Sequence, residues 1–167
     1  MQGIIEVLRE EHDEILKFIE ALRQKCLNFM EYNEVNLQDF KDAVRFIRTY
    51  ADLRHHQKEE QILFKAMTDN LGTIAVNLIQ HGMLVEHDLA RLHVMELDNA
   101  IKAYELEPTK ENKLDIISNA MGYYYLLKRH VEKENGVVYP YAEKNLSKEL
   151  MDELDKEAVR YMEAMEQ

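Results

Sequence analysis

At 167 residues the chain has the length of a single domain able to bury a sizeable core, and 46% apolar against 32% charged residues is an ordinary globular balance. Lys+Arg 21 against Asp+Glu 32 leaves a formal charge of -11, which excludes nucleic acid and anionic membrane surfaces as expected partners. Five Gly and two Pro leave few breaks in regular structure, so the composition favours long helices.

The first helix is expected over residues 4–31, where Ile5, Leu8, His12, Ile15, Ile19 and Leu22 share one face. The stretch Tyr32-Asn33-Glu34-Val35-Asn36 breaks it, with the turn near Glu34. Asn36 is placed to cap the next helix, with Asp39 as a capping-box-like partner. That second helix, 37–69, turns Phe40, Val44, Ile47, Ala51, His55, Ile62 and Leu63 inward. After Asp69-Asn70-Leu71-Gly72 a third runs over 73–105, carrying Val76, Ile79, Met83, His87, Ala90, Val94, Leu97 and Ile101.

Glu107-Pro108-Thr109 ends the third helix, and Thr109 can cap the fourth, 110–144. Its inward set is Leu114, Ile117, Met121, Tyr123, Leu127, His130 and Val137, and Pro140 should end or kink it. A short last helix, about 148–165, presents Leu150, Met151, Leu154, Ala158, Met162 and Met165 to the bundle. Four helices of similar length joined by short turns predict an all-α, antiparallel up-down four-helix bundle, with residues 1–167 forming one domain. No apolar run approaches the ~20 residues needed to cross a bilayer, and acidic charge at Glu6 comes too early for a signal peptide. The single cysteine, Cys26, has no partner for an internal disulfide and is expected in the core. A cytoplasmic protein is the expectation.

An internal repeat selects the candidate site. His12 and His87, His55 and His130, and Glu59 and Glu134 each stand 75 positions apart. The bundle therefore reads as two copies of one helical hairpin. In an antiparallel hairpin, residues equally far from the turn lie at one height. His12 then falls level with His55 and Glu59, and His87 with His130. In each copy the second-helix histidine precedes its glutamate by four residues, so both can reach one ion. Four imidazoles and two carboxylates suit a dinuclear metal centre, with two histidines per metal and Glu59 and Glu134 bridging. Burying them without a metal would be costly.

The same offset sets residues aside. His56 matches Val131 and Glu60 matches Asn135, so neither belongs to the symmetric ligand set. His81 and His93 each lie six residues from His87, on other faces of the helix; His81 is a secondary candidate and His93 a packing or surface residue. Glu11 and Glu86 are expected on a solvated helix face, with an outer role behind the ligands as the alternative. Tyr123, seven residues before His130, is expected to pack in the core and is placed to line a ligand pocket.

The segments Glu11-His12-Asp13, His55-His56-Gln57-Lys58-Glu59, Glu86-His87-Asp88 and His130-Val131-Glu132-Lys133-Glu134, in this order, resemble the hemerythrin-like cation-binding (HHE) domain over about residues 4–144. The resemblance implies two non-haem iron ions, held by His12, His55, Glu59, His87, His130 and Glu134. It implies a small diatomic ligand, dioxygen or nitric oxide, either bound or sensed; an oxidoreductase or an iron donor in stress repair is the alternative. Oxygen carriers of the family place two histidines four apart on the third helix. Here Met83 and Arg91 flank His87 at that spacing, so the chain resembles the repair-of-iron-centres group more closely.

Overall fold

The structure, a computed structural model, describes residues 2–33 and 35–166. Helix α1 is Ile4–Tyr32. Helix α2 covers residues 37–70, α3 residues 72–106, and α4 residues 110–145, each continuous apart from changes of winding. Helix α5 is Lys148–Met165. No strand occurs among the described residues. The four-helix bundle with a short fifth helix is as the periodicity predicts.

The ends of the helices follow from local chemistry. Asn33 ends α1 in the left-handed region at φ 54°, a conformation that Asn tolerates better than most residues. Glu34, on which the turn was centred, lies outside the described residues. The Asn36, Thr109 and Ser147 side chains each accept a backbone N–H of the first turn that follows, at 3.1, 3.1 and 3.2 Å. Asp39 does not complete a capping box: its carboxylate pairs with Lys25 of α1 at 3.3 Å. Gly72, at φ +70°, turns the chain from α2 into α3.

The long helices are not uniformly α-helical. Ile47–His56 and Glu59–Phe64 in α2, Ile79–Met83 in α3 and Glu134–Val138 in α4 are wound as π-helix. In that winding each hydrogen bond spans five residues, so side chains drift from the α-helical phase. Pro140 therefore does not end α4. It enters two residues past the π segment, and the helix continues to Asn145. The changed phase also exposes Val137 and buries Val138. Leu114, expected inside, is exposed, and Ile116 takes the core position.

Two apolar clusters fill the bundle. One gathers Ile15, Ile19, Leu22, Cys26, Phe29, Phe40, Val44, Leu97, Ile101, Ile116 and Leu127 toward the α1–α2 and α3–α4 turns. The other gathers Ile4, Leu8, Leu63, Phe64, Met67, Ile79, Met83, Val138, Tyr139 and Ala142 toward the opposite end. Helix α5 closes that second end through Leu154 and Ala158. Its Asp155 accepts the Ile4 N–H at 2.7 Å and so caps α1, and its Tyr161 hydroxyl donates to the Leu53 carbonyl at 2.7 Å. Between the two clusters, buried polar residues from all four long helices form one layer.

Candidate metal centre

That layer contains His12, His55, Glu59, His87, His130 and Glu134, all six of the residues selected from the repeat, and every one is buried. It also contains His56, Glu11 and Lys58. The candidate ligand atoms fall into two groups. His56, Glu59, His87 and His130 present atoms all within 4.8 Å of one another, and so do His12, His55, Glu59 and Glu134. Glu59 belongs to both.

Shared carboxylates tie the groups together. Glu59 Oε2 lies 3.6 Å from His55 Nε2 and 3.4 Å from His87 Nε2. Glu134 reaches His12 Nε2 with Oε2 at 3.0 Å and His130 Nε2 with Oε1 at 3.0 Å. His87 Nε2 and His130 Nε2 face each other at 3.1 Å.

Each symmetric histidine is aimed by its other nitrogen. His55 Nδ1–H donates to Glu11 at 2.9 Å, His130 Nδ1–H to Glu86 at 2.8 Å, His87 Nδ1–H to Glu60 at 2.7 Å and His12 Nδ1–H to Asn135 at 2.8 Å. These bonds turn all four Nε2 atoms toward the centre, the arrangement that outer partners impose on metal-binding imidazoles. The glutamates are themselves held. Lys58 donates to Glu11 at 2.5 Å, Lys133 donates to Glu86, and Arg91 donates to Glu60 at 2.7 Å. Burial works against charge on Glu11 and Glu60, but the basic partners outweigh it and hold both carboxyls below the usual range.

Two readings from the sequence, of Glu11 with Glu86 and of His56, are thereby corrected, while Glu60 stays outside both ligand groups as the offset predicts. Glu11 and Glu86 are not on a solvated face: Glu11 is buried, Glu86 is half-buried, and they orient His55 and His130. Glu60 and Asn135 stand 75 apart and do the same work for His87 and His12. His56 lies inside the cluster, its ring stacked on His87 at 3.9 Å between centroids. The offset compares residue types only, whereas burial is set by the helices a side chain meets: His56 and Val131 are both buried, and the His56 ring also lies 5.6 Å from that of His130. The two halves are consequently unequal, three imidazoles against two.

Of the other residues singled out, His81 is exposed and apart from the cluster. His93 packs against α4 where Gly122 leaves room; a Cβ there would come within 2.5 Å of the His93 ring. Tyr123 is both core and lining. It is fully buried, and with His56, Asp52, Arg91 and Ala90 it borders a cavity of about 220 Å³. Tyr139, matched to Phe64 in the repeat but given no role in the site from sequence, is also fully buried; its hydroxyl donates to Glu59 and lies 3.3 Å from His12 Nε2. A signal for it was present, since it stands 75 residues after Phe64.

Electrostatics and hydrogen bonding fit a bound cation. His55 Nε2, both nitrogens of His56, Glu59 Oε2 and Glu134 Oε1 are buried without a hydrogen-bond partner. Five such atoms converging on one layer is a large unpaid desolvation unless a cation occupies it. Burial opposes charge on His87 and His130, yet carboxylates outweigh it and raise both rings: Glu134 with Glu59 and Glu60 at His87, and Glu134 with Glu86 at His130, which rises to about 9. His56 moves the other way: burial and its cationic neighbours hold it well below the ordinary histidine value, so it is neutral and able to donate a lone pair.

A chain with this fold and this ligand layer has the form of a bundle-core metalloprotein. The family model described as the hemerythrin HHE cation-binding domain matches residues 3–142, and the chain belongs to that family. No curated protein matches it. No helix among the described residues is long and apolar enough to cross a membrane.

Proposed function

We propose that the layer holds a non-haem di-iron centre at which the protein binds or senses dioxygen or nitric oxide. The observation that carries the proposal is the pair of ligand groups sharing Glu59, with four Nε2 atoms aimed inward by outer partners. His12, His55, His87, His130 and His56 would hold the irons, with Glu59 and Glu134 between them. Imidazole and carboxylate together suit iron, and a bound pair of irons supplies two one-electron redox steps and positions for a small molecule.

The protein's own residues set the conditions. Glu11, Glu60, Glu86 and Asn135 fix the tautomer of each ring. Lys58, Lys133 and Arg91 balance the outer carboxylates. The two apolar clusters keep bulk water from the layer. An acidic surface does not repel a small neutral gas.

Met83 and Arg91 beside His87 favour the repair-of-iron-centres group over the reversible oxygen carriers. The same proposal places the protein in the cytoplasm, where a lone thiol such as Cys26 stays reduced. Rapid mixing of the reduced, iron-loaded protein with dioxygen and with nitric oxide tests the reading. A saturable change in iron absorption with at least one gas is expected; no change with either would overturn it.

A further inference from the structure

Each of the four symmetric histidines has an outer partner on Nδ1. His56 has none among the described residues: both of its nitrogens are buried without a hydrogen bond. Its Nδ1 stops 3.6 Å from Asp52 Oδ1, beyond hydrogen-bond range. A second buried donor shares the same space. Tyr123 is fully buried, and its hydroxyl has no partner. Burial pushes the phenol up and the Asp52 carboxylate adds to the rise, so the group keeps its proton. His56, Asp52 and Tyr123 line one cavity of about 220 Å³ between α2, α3 and α4. Buried polar groups without partners are rare, and two beside one cavity mark it as a place for an acceptor.

The rest of the cavity narrows the kind of ligand. Ile47, Ala90 and Val94 give it apolar walls, and half-exposed Met95 stands at its mouth. Arg48 and Arg91 also border it, but each is already paired. Arg48 meets Asp98 at 3.2 Å, and Arg91 meets Asp52 at 2.8 Å and Glu60 at 2.7 Å. A charged ligand would have to break one of these pairs, and a neutral one would not. An apolar cavity of ~150 Å³ admits benzene, so this one has room for a six-membered ring with a substituent. Water is a poor occupant of the apolar part, because each molecule needs about two to four polar partners.

We propose that this cavity is a binding site for a small neutral molecule with an apolar body and one carbonyl oxygen. The oxygen accepts from the Tyr123 O–H and from His56 Nδ1–H, while the body packs on Ile47, Ala90 and Val94. The molecule thereby supplies the outer partner that the other histidines draw from Glu11, Glu60, Glu86 and Asn135. The part played by Tyr123 stands on the cavity alone. The part played by His56 rests on the dinuclear reading above, in which the ion takes Nε2 and leaves the proton on Nδ1.

Cyclohexanone serves as the probe, titrated by calorimetry into the full-length, iron-loaded protein. Methylenecyclohexane, of the same shape without the oxygen, is the comparison. Saturable binding of cyclohexanone is expected, with methylenecyclohexane weaker by about tenfold. Tyr123→Phe should fold and load iron as the wild type does, because the hydroxyl it removes bonds nothing in the protein. It should weaken cyclohexanone about tenfold, the worth of one buried hydrogen bond, and leave methylenecyclohexane unchanged. Ala90→Leu should fill the cavity and abolish binding of both. Saturating cyclohexanone should also raise iron affinity in competition with a chelator, since coupling between two sites is reciprocal.

Absence of saturable cyclohexanone binding would overturn the proposal and leave a cavity that holds water only. Equal weakening of both probes in Tyr123→Phe would overturn it too, by making the residue a packing element and no donor. So would undiminished binding in Ala90→Leu. An iron affinity unmoved by cyclohexanone would remove His56 from the site and overturn recognition by two donors. A wild-type protein that takes up no iron would refute the dinuclear reading, whereas Tyr123-dependent cyclohexanone binding by that iron-free protein would still uphold the pocket.

Discussion

His56 shows how neighbouring residues in one helix divide the work of a site. It has no counterpart in the second hairpin, and on the offset alone its replacement should matter little. Its position beside His87 and His130 predicts the opposite. His56→Ala should lower iron content about as much as His130→Ala, measured as metal per chain after identical loading; near-wild-type content would restore the symmetric ligand set. The outer partners carry a second prediction. Glu86→Gln keeps the size of the side chain but removes the charge that holds His130 Nδ1–H. Outer-partner changes of this kind cost roughly 10–100-fold in metal affinity. Competition with a chelator should show a loss in that range, and an unchanged affinity would remove Glu86 from the centre.

At the scale of the element, the helices themselves were legible. Every inward residue predicted for α1 and α2 is buried, because an apolar stripe at 3–4 spacing has one way to face a core. The winding was not legible. Nothing in His55-His56 or in Val137-Val138 announces a π turn, which depends on how four helices share the ligand layer. That gap misplaced Val137, while His56 was hidden because its counterpart, Val131, carries no ligand atom. The role of Glu11 was also hidden, since a glutamate beside a histidine in one helix carries no sign of which neighbouring helix it will meet. Helix α5 gives a direct test at this scale. Asp155→Ala removes the acceptor of the Ile4 N–H and should destabilise the protein by about 1 kcal/mol, as lost helix caps do. Denaturant unfolding would measure it, with iron content unaffected because α5 supplies no ligand to either group.

For the whole molecule, the polar layer makes stability depend on pH and on metal together. In the metal-free protein, burial opposes charge on His87 and His130 but their carboxylate partners raise both above the ordinary 6.5, His130 to about 9. Groups raised on folding contribute stability fully below the unfolded value and lose it as pH rises through the folded one. The thermal midpoint of metal-free protein should therefore fall between pH 6.5 and about 9. His56 acts in the opposite sense, its depressed value withdrawing stability below pH 6.5. Iron-loaded protein should not share the alkaline fall, because ligand nitrogens bound to metal carry no proton there to lose. An equal fall in both forms would place the titrating groups outside the layer.

The central claim is that all four long helices build one site for two metals. Its most direct test is the iron content of wild-type protein purified after iron-replete expression. The account predicts about two irons per chain, one for each of the two ligand groups that share Glu59. A content below one metal per chain would contradict it.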